Sequence, residues 1–270
     1  MEQDQNRLAS LFPDAAVQLR AALSNLHLAA VQLAPAEARE HDPALDQKAA
    51  LLDQSYYRLL RTATNLTDAA MLTEDTPLPK QDTELVSFFD ELCRQAQPPL
   101  ESRGLTLQVN LQPRHLIAGI HREYTSRLFW NLLSNAAKFT PAGGEVRVSL
   151  TLQEGRVLLQ VADTGCGIPP ELQDAVYDRI FRTERMDPPP HGLGLGLALC
   201  RCYARRQGGN LLLQSAEGKG TAVTVSLPAV RCGASAIQDI PFHYAGGFQP
   251  VMMELADALP YEGYKNMHLD

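Results

Sequence analysis

Between Asn131 and Thr221 the chain sets one amide-rich segment and three glycine-bearing turns in a fixed order, and this run constrains the fold more than anything else in the 270 residues. The first part, Asn131-Leu-Leu-Ser-Asn135-Ala-Ala-Lys138-Phe139-Thr140, reads as helix. Its i, i+4, i+7 spacing puts Asn131, Asn135 and Lys138 on one face, where two amide oxygens and an ammonium converge as a metal-bound polyphosphate would require. A solvated polar stripe would look the same. The second part, Asp163-Thr-Gly165-Cys-Gly167-Ile168-Pro169, follows the apolar run Val157 to Ala162. A carboxylate ending such a strand can accept from an exocyclic amine, and two glycines let the backbone pass close to a flat base. Alone it could be a turn. The third, His191-Gly192-Leu193-Gly194-Leu195-Gly196, opens a helix running to Gln207, so its backbone N–H groups lie at the positive helix end and suit a phosphate. Close helix packing explains the same glycines. The fourth, Glu217-Gly218-Lys-Gly220-Thr221, closes a hairpin. Each is weak singly; their order is what carries weight.

The surrounding pattern predicts an α+β fold. Glu84 to Gln95 and Glu123 to Phe139 have helical spacing, while Leu105 to Leu111 alternates as a strand does. Strands at 145–152 and 157–162 flank Glu154-Gly155, and 210–215 pairs with 221–227. A mixed sheet with helices on one face follows, an α/β sandwich spanning residues 77–228. Residues 1–76 precede it as two amphipathic runs, 6–34 and 45–72, broken at Pro35 and by His41-Asp42-Pro43. They predict an antiparallel helical hairpin. A lone hairpin cannot hide both apolar stripes, so a homodimer through a four-helix bundle is expected. Residues 229–270 form a C-terminal extension of unassigned role, rich in Tyr and Met, with a short helix expected over 251–259.

Charge and cysteine content remove other classes. Lys+Arg 24 against Asp+Glu 31 gives a net charge of −7, which offers no field for a nucleic-acid backbone. Five cysteines without a CxxC pair fit free thiols rather than a disulfide framework or zinc site. No apolar run approaches the roughly 20 residues of a membrane span, and Met1 to Gln5 lacks a basic leader start. The expectation is a soluble, cytoplasmic chain without direct membrane insertion.

Taken together, the four motifs resemble the sensor histidine kinases, within the group that shares an ATPase fold with DNA gyrase and heat-shock chaperones. Residues 131–140 resemble the N box, 163–169 the G1 box, 192–196 the G2 box and 218–221 the G3 element. Val176 to Arg182 resembles the F box, with Ile180 where an aromatic is usual. The resemblance implies ATP and Mg²⁺ as cofactors. It implies Asn135 as metal ligand with Asn131 in support, Lys138 at the phosphates, Asp163 on the adenine amine, and Thr221 sharing a water with Asp163. Phe139, Gly165, Gly167, Ile168, Phe181, Arg182, Gly192, Leu193, Gly194, Leu195 and Gly196 complete the implied ATP site. Hydrolytic relatives place a glutamate where Asn131 stands, and a carboxamide cannot take a proton from water. Bound ATP would then wait for another nucleophile, which the resemblance implies is a histidine imidazole.

His27 falls where the resemblance puts that histidine, on the first hairpin helix. The family follows it with an acid; here Leu28 stands there. The implied function is a protein-histidine kinase of a two-component system, autophosphorylating His27 and passing phosphate to the receiver domain of a response regulator. The alternative is a degenerate ATP-binding dimeric scaffold or phosphotransfer adaptor, which the missing acid supports. A serine kinase of the anti-sigma type is disfavoured by the hairpin, and His41 is a second candidate acceptor.

Overall fold

In the computed structural model, residues 2–71, 78–177, 194–233 and 249–265 are described. They belong to two compact units, one formed by residues 1–75 with 242–270 and the other by 76–241.

The first unit begins with α1 (Glu2–Leu33), a short α2 (Ala36–His41) and α3 (Pro43–Met71). Pro35 ends the first helix, and Asp42 starts the third: its side-chain oxygen accepts from the backbone N–H of Ala44 at 2.9 Å and Leu45 at 3.1 Å. Pro43 fits at the first helical position, where an N–H would lack a partner anyway. α1 packs on α3, with Leu23, Ala50, Tyr57, Leu60 and Ala63 buried. The sequence leaves the C-terminal extension unplaced, and the structure lays part of it against α3. Helix α8 (Pro250–Glu254) and a 3₁₀ turn (Tyr261–Tyr264) bury Met252, Leu255, Leu259 and Tyr264 there. Three side chains of the hairpin read backbone carbonyls of this segment: Gln54 donates to Leu259 at 2.7 Å, Arg58 to Ala256 at 3.1 Å and Arg39 to Tyr264 at 3.0 Å. Burial pushes the Tyr57 phenol up to about 12, against the lowering effect of the Gln249 N–H that donates to it.

The second unit is a mixed sheet of β2 (Thr106–Leu111), β4 (Glu145–Gln153), β5 (Arg156–Asp163), β7 (Thr221–Pro228) and β6 (Asn210–Ser215), in that spatial order. β2 pairs parallel with β4 and the other pairs are antiparallel. Val146, Val148 and Leu150 alternate into the core with Val157, Leu159 and Val161, as a half-buried sheet demands. Helices α5 (Arg122–Phe139) and α7 (Gly196–Arg206) pack on this sheet and on each other, burying Leu128, Phe129, Leu133, Leu199 and Tyr203. Two features go beyond the sequence reading. A two-stranded ribbon pairs β1 (Gln81–Glu84) with β3 (Ile117–Ile120), and α4 (Leu85–Ser102) continues through Pro98 and Pro99. The prolines forfeit two backbone donors, but fully buried Ala96 and Leu100 keep the helix seated to its end. A short α6 (Pro170–Tyr177) follows β5.

Candidate functional site

Three of the four motifs meet around the end of β5, and the third reaches α5 through Gly196. Asp163 closes that strand, and its Oδ1 accepts from the backbone N–H of Gly165 at 2.8 Å and of Thr221 at 3.2 Å. One carboxylate thus joins the second motif to the fourth and keeps its other oxygen aimable at a ligand. Burial raises the Asp163 pKa, opposed by those two N–H bonds. Ser215 fastens the same region, accepting from Ile168 N–H at 2.8 Å and bonding Thr221 Oγ1 at 2.8 Å. The glycines are required by proximity. A Cβ on Gly167, at φ +69°, would strike the Ala216 carbonyl, and one on Gly220, at φ +84°, would strike the Asp163 carbonyl. Gly218 N–H donates to Cys166 O at 2.7 Å and Cys166 N–H to Phe139 O at 3.3 Å, which ties the turns to the end of α5.

On α5, Asn131 is buried and Asn135 is part-buried, one turn apart. The start of α7 comes up against both: a Cβ on Gly196 would lie 3.4 Å from Asn131 Oδ1 and 3.5 Å from Asn135 Nδ2. The first residue of this helix therefore lies close to two carboxamides, with Leu195 at the cap and Gly194 at φ +71° just before it. Among the described residues no cluster of three or more His, Cys, Asp or Glu could hold a metal. The residues present would suit Mg²⁺ delivered with phosphates: Asn135, with Asn131 beside it, could offer an amide oxygen to a metal that keeps most of its bonds to phosphate and water. Lys138 lies 5.0 Å above the Phe139 ring, and Arg103 donates to the Lys138 carbonyl at 3.2 Å. A cleft runs between Lys138–Pro141 and Thr164–Cys166 with Arg103 on its wall; Asp163, Asn131 and Asn135 do not line it. Phe181, Arg182, Gly192 and Leu193 lie outside the described residues.

His27 sits in the first unit and is 7% exposed. Its ring stacks on Tyr56 with centroids 4.0 Å apart and planes 6° from parallel. Nε2 is 3.2 Å from Asp53 Oδ1. Arg39 then spans both neighbouring acids, donating from Nε to Asp46 at 2.9 Å and from one terminal nitrogen to Asp53 Oδ2 at 2.9 Å. Sequence reasoning did not find Asp53 or Arg39, which lie 26 and 12 residues from His27 and share no local motif with it. His41 is on the surface, its Nδ1 2.7 Å from the Glu37 carbonyl.

Residues 121–231 match the model of the histidine kinase-, DNA gyrase B- and HSP90-like ATPase family. The sensor histidine kinase RppB of Synechocystis is 30% identical over 80% of this chain and 48% of its own length. The sensor histidine kinase Hik2 of Thermosynechococcus vestitus is 34% identical over 60% of this chain and 43% of its own length. The chain belongs to the histidine kinase family. It spans less than half the length of those curated relatives. Among solved structures, full-length ShkA in complex with AMPPNP shares the fold, with a TM-score of 0.65 and 21% identity over 84% of this chain and 47% of ShkA. No helix among the described residues of this chain is long and apolar enough to cross a membrane.

Proposed function

We propose that this chain is an ATP-dependent protein-histidine kinase that autophosphorylates His27 and passes the phosphate to a response-regulator receiver domain. The observation that carries the reading is the convergence of Asn131, Asn135 and the α7 N-terminus within one unit whose other motifs are locked around Asp163. Asp163 would hold the adenine amine, the amides before α7 the phosphates, and Lys138 the triphosphate charge. The metal, when bound, would neutralise phosphate charge and orient the γ-phosphoryl group. Asn131 offers no base for water, so bound ATP is reserved for a protein nucleophile.

A homodimer belongs to the same reading. Leu19, Leu26 and Leu33 on α1 and Leu52, Leu59 and Leu66 on α3 repeat every seven residues and stay exposed in the single chain. A bundle with a second copy would cover them. One observation favours the scaffold alternative: His27 is buried and bonded rather than presented.

Incubation with γ-labelled ATP separates the two. The kinase reading expects Mg²⁺-dependent label that is lost in acid, survives base, and disappears in Asn135→Ala. Intact ATP binding without any label in the wild-type chain would leave the scaffold.

A further inference from the structure

The C-terminal segment has no task in phosphate transfer, yet α3 holds it with specific polar contacts as well as apolar burial. Gln47, Gln54 and Arg61 stand seven residues apart and so share one face of α3, with Arg58 beside them. Gln47 donates to the Tyr261 hydroxyl at 3.3 Å, and Arg61 pairs with Asp257 at 3.3 Å. Gln54 and Arg58 read the Leu259 and Ala256 carbonyls between them. Leu255 is fully buried at the centre of the segment. The exposed stripe of Leu52, Leu59 and Leu66 is offset by two residues, about 200° around the helix, so the segment leaves that stripe open.

Both ends of the segment fasten to the surroundings of His27. At one end the Gln249 N–H donates to the Tyr57 hydroxyl at 3.2 Å. At the other, the Tyr264 ring lies 5.7 Å from the Tyr57 ring, and the Tyr264 carbonyl accepts from Arg39 at 3.0 Å. The Tyr264 hydroxyl donates to the Met252 carbonyl at 3.0 Å, which ties the 3₁₀ turn back to α8. Tyr57 in turn sets its edge 6.0 Å from the His27 ring, and Arg39 fixes Asp53, the carboxylate beside His27. The ring between these groups is buried, and a closed group reacts only for the fraction of time it is open.

We propose that residues 249–265 are a releasable strap that holds His27 closed, an autoinhibitory contact built into the chain. The consequence for phosphate transfer rests on the kinase reading above. With the strap docked, Tyr57 is pinned at its ring and its hydroxyl, and Arg39 is held at three points. Lifting the strap exposes Tyr57 and removes one of those points, so the ring gains freedom to turn outward. A helix of five residues and a single 3₁₀ turn do not persist without docking, so the strap opens as a unit of its own, before the hairpin does.

The test uses the full chain. Leu255→Asp puts a charge at a fully buried position and should release the strap. Tyr264→Phe removes only the hydroxyl bond to Met252 and should loosen it. Hydrogen exchange read by mass spectrometry should show residues 249–265 losing protection while the α3 amides around Leu60 and Ala63 keep theirs. Without ATP, modification of His27 by diethylpyrocarbonate is followed against the exposed His41 in the same chain. In the wild-type chain His27 should react far more slowly than His41. Leu255→Asp should speed His27 by roughly tenfold or more and leave His41 unchanged, with a smaller rise in Tyr264→Phe. Label from γ-labelled ATP should then enter Leu255→Asp faster by a similar factor, with Mg·ATP affinity unchanged. Three results would each overturn the proposal: His27 as slow in a released chain as in the wild type, His27 as fast as His41 in the wild type, or slower labelling after release. If exchange shows the hairpin itself melted in Leu255→Asp, Tyr264→Phe decides by the same criteria. If no chain takes label, the kinase reading fails, and the modification rates alone decide whether the strap closes His27.

Discussion

Adding one methyl group at Gly220 tests whether the nucleotide motifs are interlocked as the geometry says. Gly218 and Gly220 sit in the same turn with similar backbone angles, φ +72° and φ +84°. An alanine at either pays the left-handed penalty of roughly 1–2 kcal/mol. Their surroundings differ. A Cβ on Gly218 has nothing within 4 Å, whereas one on Gly220 would strike the Asp163 carbonyl and come 3.1 Å from Thr164 Cα. Backbone cannot swing aside as a side chain can, so Gly220→Ala must part β7 from the end of β5, an overpacking cost of about 1–3 kcal/mol more. In a unit of this size that excess corresponds to about 2–12 °C in Tm between the variants. The same displacement stretches the 3.2 Å bond from Thr221 N–H to Asp163. Calorimetric unfolding and isothermal titration with Mg·ATP would read both effects. Gly218→Ala should lose only the smaller stability increment and bind nucleotide normally, while Gly220→Ala should bind it at least tenfold more weakly. Equal stability and equal affinity in the two variants would refute the close approach on which the site is built.

Three further outcomes follow from the same structure. Because burial raises the Asp163 pKa, the folded chain takes up that proton at higher pH than the unfolded chain; the associated stability is present at low pH and lost as pH rises through the folded value. Asp163→Asn should flatten that part of the pH–stability curve and leave stability at pH 7 equal or higher, yet weaken Mg·ATP binding by about 10- to 100-fold, the worth of a hydrogen bond to a charged group; titration calorimetry alongside pH-resolved denaturation would show it. Leu259→Ala removes a side chain that is 1% exposed where the C-terminal segment meets α3, and should cost the first unit about 2–5 kcal/mol without altering nucleotide affinity, measured by urea unfolding. Leu26→Glu, on the exposed heptad stripe, should leave the fold intact by circular dichroism and yield monomers where the wild-type chain gives dimers by light scattering; a monomeric wild-type chain at micromolar concentration removes the bundle.

The legible parts of this molecule are those whose cause is local. Helical and strand periodicity places α3, α5, β4, β5, β6 and β7 to within a few residues, because each shows one apolar face at its own period. The motif glycines at 165, 167 and 220 were readable because only a residue without a Cβ fits there, and that demand writes itself into the residue type. β1 was hidden by its sequence, Gln81-Asp-Thr-Glu, which has no apolar alternation and pairs with a strand that begins 33 residues after it ends. The extension of α4 past Gln95 was hidden by two prolines that normally announce an end. The contacts among His27, Asp53 and Arg39, and the seat of the C-terminal segment on α3, are tertiary, with partners up to 225 positions apart in sequence. Nothing in the spacing of those residues marks them.

The central claim is that phosphate from ATP reaches His27. The direct measurement is the amount and chemical nature of label incorporated from γ-labelled ATP by the wild-type chain and by His27→Gln, with Mg·ATP affinity measured on both. Acid-labile, base-stable label in the wild-type chain that vanishes in His27→Gln while nucleotide affinity is unchanged is the predicted result. Label of the same size in both chains, or acid-stable label in either, would contradict it.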